Sequence, residues 1–277
     1  MRMAPITRRG NKNRLIHETD FISYFPRPSR SSHYCEPFAG TCEVALHYLD
    51  SVKKYNYVVT LNDGDGELIN FWKVLAQYPH KLEARLRPAF PGIKLDENDE
   101  IDRAVNFWIE NQQSSFLVQY PITPIKHFDP IIDALNHHRT VFTQQDWKKC
   151  MEVILKLSGM RGDDKRYRDV IFYLDPPYYN TDATKRKNLC AGYDNINHEE
   201  MAAFLNGIKD INRLWIFLSH HDCEFIRDAY KDWHFMSLKT MGDSGRSPLT
   251  RPRMELLISN RSFMRWGDQA LDNFVGG

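Results

Sequence analysis

No stretch of the chain approaches the roughly 18 consecutive apolar residues that a membrane span needs. The Arg-rich opening segment also lacks the apolar core of a secretory signal. Cysteine is sparse. The five residues Cys35, Cys42, Cys150, Cys190 and Cys223 show no CxxC spacing, so zinc-ribbon and thioredoxin readings fail and scattered reduced thiols remain. An excess of one charge is missing too: Lys and Arg total 37 against 36 Asp and Glu, a net charge of +1. That balance excludes a protein that coats nucleic acid through bulk electrostatics, but it allows a local basic face. Neither GxGxxG nor GxxxxGK[ST] occurs, which removes the dinucleotide fingerprint and the phosphate loop. Repeats and low-complexity tracts are also lacking. The expectation is a cytoplasmic chain with no membrane segment, no metal site and no obligate protein partner.

Aromatic residues are plentiful, with Trp 6, Tyr 13 and Phe 16 in 277 residues, enough to bury one large α/β core. Seven apolar runs read as strands, at 33–38, 55–62, 140–143, 169–175, 214–219, 234–241 and 254–260. Helical patterns follow five of them, at 41–52, 67–76, 146–157, 197–211 and 222–230. The first has a hydroxyl start at Thr41, and Asn197 with Glu200 three residues on forms a capping-box pattern. The last two strands have no helix between them and read as an antiparallel pair. This alternation predicts a seven-stranded, mostly parallel sheet with helices on both faces, and ligands at the carboxyl ends of its strands. Residues 78–136 break the rhythm with proline-rich loops and helical pieces. They read as a small, mainly helical lobe inserted into a domain made of 1–77 and 137–277. The acidic patch 96–102 reads as a solvated helix start.

The residues just after the strands carry the chemistry. The fourth strand delivers Asp175-Pro176-Pro177-Tyr178, a tetrapeptide expected by chance in roughly one chain of this size in a thousand. An aromatic exocyclic amine is a poor nucleophile, because its lone pair is delocalised into the ring. A carboxylate (Asp175) and a backbone carbonyl (Pro176) can both accept from its N–H groups and offset the charge that develops during attack. Pro177 stiffens the turn, and Tyr178 can stack on a base. The first strand leads into Glu36-Pro37-Phe38-Ala39-Gly40, a turn in which glycine lets a ligand approach the backbone. The second ends at Asp63, placed to accept bonds from ribose hydroxyls, whereas Asp65 reads as part of the helix start. His220 reads as a surface histidine at a loop end.

In this order the segments resemble the Dam-type adenine-N6 DNA methyltransferases, the α group of the D12 class. Arg8–Leu15 resembles the family's glycine- and lysine-containing N-terminal segment. Residues 36–40 resemble its EPFxG loop, 62–70 its NDIN…LIN segment and 175–178 its DPPY motif, while 255–260 resemble a late sheet strand. The resemblance implies a Rossmann-like S-adenosylmethionine-dependent methyltransferase fold, with S-adenosyl-L-methionine as cofactor and double-stranded DNA as partner. It implies Asp175, Pro176, Pro177 and Tyr178 as the catalytic group. Lys12, Glu36, Phe38, Gly40 and Asp63 would line the cofactor site, Asp146 and Trp147 would hold the cofactor's adenine, and Asp175 would touch both cofactor and amine. DNA would be held by Arg8, Arg9 and Arg14, by Lys185, Arg186 and Lys187, and by Arg246, Arg251 and Arg253, all at the catalytic edge. Residues 78–136 would be the target-recognition lobe. Two positions depart from the family pattern: Asn11 and Cys42 stand where glycines are usual. RNA adenine, a protein amide, or a non-catalytic DNA-binding role remain alternatives.

Overall fold

A computed structural model of the protein describes residues 6, 12–54, 56–86, 95–114, 128–159, 169–179, 196–240 and 253–265. Its seven strands are β1 (His33–Glu36), β2 (Val58–Asn62), β3 (Arg139–Thr143), β4 (Val170–Leu174), β5 (Leu214–His221), β6 (His234–Thr240) and β7 (Arg253–Ser259). They form one sheet in the order β3-β2-β1-β4-β5-β7-β6. Adjacent strands from β3 through to β5 run parallel, and β7 runs antiparallel to both its neighbours. The central strands are buried on both faces, as Val-Ile-Phe-Tyr-Leu in β4 requires, while the edge strand β3 is largely open.

Alternate residues divide between two cores. Tyr34, Val59, Leu61, Ile171, Tyr173, Phe217 and Leu257 face one side. There they meet α1 (Asn13–Thr19), α2 (Glu43–Ser51), α3 (Gly66–Gln77), α4 (Pro79–Leu86), α5 (Glu100–Ser114) and α6 (Asp129–His137). Cys35, Phe172, Leu174, Ile216, Leu218, Leu256 and Ile258 face the other. They pack on α7 (Trp147–Leu157), α8 (His198–Ile208) and α9 (Glu224–Ala229). The strand period of two therefore builds both layers from the same strands. Helices of the 78–136 segment share the first core: Phe71 of α3 stacks on Trp108 of α5, with centroids 5.7 Å apart. Such a pair contributes about 0.5–1.5 kcal/mol beyond its buried area.

Side chains cap three helices, at Asp65 and Asn197 as the sequence indicates and at Asp146 in addition. Asp65 caps α3 by accepting from the Glu67 and Leu68 amides, Asp146 caps α7 through the Lys148 and Lys149 amides, and Asn197 caps α8 through Glu200. Each cap contributes about 1 kcal/mol. Two expectations need correction. Thr41 does not cap α2; Cys42 precedes that helix, with no side-chain cap. The acidic patch does start a helix, with Asp99 accepting from the Ile101 and Asp102 amides, but Asp102 is buried and paired with Arg85 rather than solvated. Among the described residues Cys35, Cys42, Cys150 and Cys223 are free thiols, as expected, with the buried Cys35 and Cys150 sulfurs 3.9 Å apart. No helix among the described residues is long and apolar enough to cross a membrane.

Candidate active site

The chain leaves β1 toward β2 and β3 on one side, and leaves β4 toward β5 on the other. The carboxyl ends of β1 and β4 therefore flank the switch point, where open α/β sheets bind ligands. Glu36 ends β1 and Asp175 follows β4. The intervening loop is held to the neighbouring strands by several bonds. The Ala39 amide donates to the Asn62 carbonyl (2.7 Å), the Gly40 amide to Asp63 Oδ2 (2.9 Å), and Trp72 Nε1 to the Gly40 carbonyl (3.1 Å). Buried Asn62 joins three strand ends: its Nδ2 donates to the Pro37 and Gln145 carbonyls, and its Oδ1 accepts from Thr143 Oγ1 and the Gln145 amide.

Both turn residues of the loop are left-handed, Gly40 at φ +50° and Cys42 at φ +53°. Cys42 thus keeps the backbone a glycine would adopt there, at a steric cost of about 1–2 kcal/mol. The departure costs strain rather than loop geometry. Among the described residues, a Cβ placed on Gly40 would meet nothing within 4 Å, so they leave open space before the loop. Near its start, Phe38 lies roughly parallel to Trp147, with centroids 6.3 Å apart. Open space at a glycine turn, an aromatic pair and nearby carboxylates fit a cofactor that carries an adenine and a positive sulfonium.

Four chain segments bring a charged network together at the end of β4. Lys12 Nζ, buried, lies 2.9 Å from Asp175 Oδ2 and 3.5 Å from Glu255 Oε2, and donates to the Tyr178 hydroxyl (2.9 Å). That hydroxyl in turn donates to Glu255 Oε2 (2.7 Å). On the other side of Asp175, Ser219 Oγ donates to Oδ1 (2.9 Å) and meets the buried Tyr173 hydroxyl at 2.8 Å. Burial pushes the Asp175 carboxyl up from its ordinary range, against the opposing pull of Lys12 and Ser219. Burial alone would lower the Lys12 ammonium, but Asp175 and Glu255 outweigh it and the net shift is upward. Tyr178 is raised by burial and by both carboxylates, so its hydroxyl remains a donor.

His220 is the clearest correction. Strand β5 runs on to His221, and the His220 ring is wholly buried rather than at the surface. Its Nε2 accepts from the Tyr179 amide (2.7 Å), and its Nδ1 faces the His221 carbonyl (3.0 Å). Burial lowers its pKa to about 3, which keeps the ring neutral and able to accept. The ring also lies 4.7 Å from that of Tyr178. His198 faces the Pro177 carbonyl, and burial lowers its pKa also. Two neutral histidines thus hold the backbone of the Asp-Pro-Pro-Tyr loop. Ligand atoms of His220, His221 and Cys223 fall within 4.8 Å of one another, but both His220 nitrogens already have partners.

Other expected site residues are dispersed in role. Glu36 is buried and accepts from the Tyr34 hydroxyl (2.6 Å); desolvation raises its pKa to about 8. The Asp63 oxygens accept from the Gly40 and Asp65 amides, so the carboxylate secures the loop. Asp146 serves as the cap of α7. Arg14 is exposed on α1 and paired with Glu18 at 2.6 Å. Arg8, Arg9, Lys185, Arg186, Lys187, Arg246, Arg251 and the Arg253 side chain lie outside the described residues. Sequence reasoning missed Glu255, Ser219, His198 and Asn62. Glu255 was findable: because β7 is antiparallel, its beginning, not its end, lies at the carboxyl edge of the parallel strands.

The strand order and the loop after β1 define a Rossmann-like S-adenosylmethionine-dependent methyltransferase fold. The family model of the D12 class N6 adenine-specific DNA methyltransferases matches residues 9–144. The family brings S-adenosylmethionine as cofactor. No curated protein matches the chain in sequence. Among solved structures, the chain is similar to a SAM-dependent methyltransferase from Agrobacterium tumefaciens at 12% identity, over 89% of this chain and 61% of that one (TM-score 0.41). A precorrin-6y C5,15-methyltransferase from Geobacter metallireducens is 7% identical over 87% and 85% (TM-score 0.40). An rRNA methylase from Streptococcus thermophilus is 10% identical over 92% and 98% (TM-score 0.35). The chain spans less than two thirds of the Agrobacterium protein.

Proposed function

We propose that the protein transfers the methyl group of S-adenosylmethionine to the N6 amino group of an adenine flipped out of double-stranded DNA. The observation that carries this reading is the Asp175 carboxylate at the end of β4, the strand beside β1, sharing the Lys12 ammonium with the Tyr178 hydroxyl. The target base leaves the stack because its N6 is out of reach inside the duplex. Asp175 accepts one amine N–H and the Pro176 carbonyl the other, which favours a tetrahedral nitrogen and offsets its developing charge. Tyr178, anchored through its hydroxyl and packed against His220, offers a fixed aromatic surface to the base. Lys12, Glu36, Phe38, Gly40, Asp63, Asp146 and Trp147 line the cofactor side. When bound, the cofactor supplies an electrophilic methyl on sulfur. The chain contributes positioning and electrostatics, and the amine proton leaves to solvent.

The basic residues Arg8, Arg9, Arg14, Lys185, Arg186, Lys187, Arg246, Arg251 and Arg253 contact phosphates, and residues 78–136 read the target. The test incubates the protein with methyl-labelled S-adenosylmethionine and duplex DNA, RNA or protein, beside Asp175→Ala. Label in DNA adenine that vanishes in the variant supports the reading. Label only in RNA or protein, or in none, overturns it. DNA affinity should also fall as salt rises.

A further inference from the structure

Asp175 presents a difficulty for the proposed reaction. The oxygen that should receive the amine N–H already faces Lys12 Nζ at 2.9 Å, and the other accepts from Ser219. An incoming amine at Oδ2 therefore competes with the ammonium for the same oxygen. Removing Lys12 from the network altogether would leave two neighbouring carboxylates without their shared counter-charge. The structure offers an alternative place. Glu255 Oε2 is 3.5 Å from the same Nζ and already accepts from Tyr178, whose hydroxyl the ammonium also contacts. A movement of about 0.7 Å would bring Nζ to a normal charge-assisted bond with Glu255.

We propose that Glu255 is the second seat of the Lys12 ammonium, occupied when an exocyclic amine claims Asp175. It is a positioning residue, and the proposal rests on the amine-methyltransfer reading above. The exchange keeps the local charge constant: Lys12 changes carboxylates without leaving the site, and a neutral amine replaces it at Asp175. The site thereby distinguishes an amino-bearing base from one that lacks the amine, since only a base with N–H donors can compensate Asp175 for the lost ammonium. Tyr178, bonded to both Lys12 and Glu255, keeps its ring in position throughout.

Glu255→Gln separates these roles, because the amide oxygen still accepts from Tyr178 while the charged seat is lost. The experiment measures kcat and KM with unmethylated genomic duplex DNA for wild type, Glu255→Gln, Glu255→Asp, Lys12→Met and the double variant Lys12→Met/Glu255→Gln. Thermal melts and far-UV circular dichroism check that each variant folds. The expected result is a KM for DNA raised 10- to 100-fold in Glu255→Gln, with a smaller change in kcat and partial recovery in Glu255→Asp. Once Lys12 is Met, the Gln substitution should add less than threefold, because the seat has lost its occupant. A wild-type KM in Glu255→Gln, or an equal penalty with and without Lys12, overturns the proposal while leaving the methyltransfer reading intact. If Glu255→Gln fails to fold, the Asp variant with and without Lys12 decides by the same coupling. A wild type that methylates no DNA overturns the reading and the proposal with it.

Discussion

Glu36 gives a sharp physical prediction, because its environment raises its pKa from 4.5 to about 8. The leading cause is desolvation, opposed by the Tyr34 hydroxyl and the Ala45 amide. Between those values the folded protein retains a proton that the unfolded chain has released. Stability therefore falls as pH rises from about 4.5 and levels off above about 8. A shift of about 3.5 units corresponds to roughly 5 kcal/mol at the plateau, or about 3 kcal/mol at pH 7. Glutamine mimics the neutral acid and cannot ionise. In Glu36→Gln this part of the pH dependence should disappear, while every other titrating group stays the same in both proteins. Denaturant unfolding of wild type and variant at pH 5, 7 and 9 provides the measurement. The variant should gain on wild type by roughly 3–5 kcal/mol between pH 5 and 9. A difference that stays flat, or that grows toward acid, would refute a neutral, buried Glu36.

Histidines set the opposite limb. Burial lowers His220 to about 3 and His138 and His47 to about 4, so stability should fall as pH drops below about 6.5, and acid unfolding curves should show proton uptake by neutral histidines. Asn62→Ala removes the four bonds that join β1, β2 and β3, and should cost at least about 3 kcal/mol in denaturant unfolding. A loss below about 1 kcal/mol would contradict that role. Tyr178→Phe deletes the hydroxyl between Lys12 and Glu255 but keeps the ring. Methyl transfer should fall about 10- to 100-fold, corresponding to about 1.5–3 kcal/mol for a bond to a charged group, with S-adenosylmethionine affinity changed far less. Unchanged steady-state rates would show that the anchor has no function.

The architecture was largely legible. Alternation of apolar strands and helices gave every strand to within a few residues, because buried parallel strands demand runs such as Val170–Leu174 and Asp65 and Asn197 announce their helices. Asp175, Gly40 and Asp63, which the same rule singles out, do follow the carboxyl ends of β4, β1 and β2. Glu255 escaped it because β7 runs the other way and enters the site with its first residues. His220 escaped because β5 extends two residues beyond its apolar run, and burial follows from packing under Tyr178, which no local pattern encodes. Asp63 and Asp146 were legible as residues but not in their bonds: both accept from backbone amides, a competing use of carboxylates that spacing alone does not reveal.

The central claim is that Asp175 delivers an adenine amine to a methyl donor. Its most direct test is nucleoside mass spectrometry of DNA from a host without adenine methylation that expresses the protein. N6-methyladenine should appear with wild type and be absent with a folded Asp175→Ala. The account is contradicted if the modified nucleoside is absent from wild-type DNA, lies on another base, or persists without Asp175.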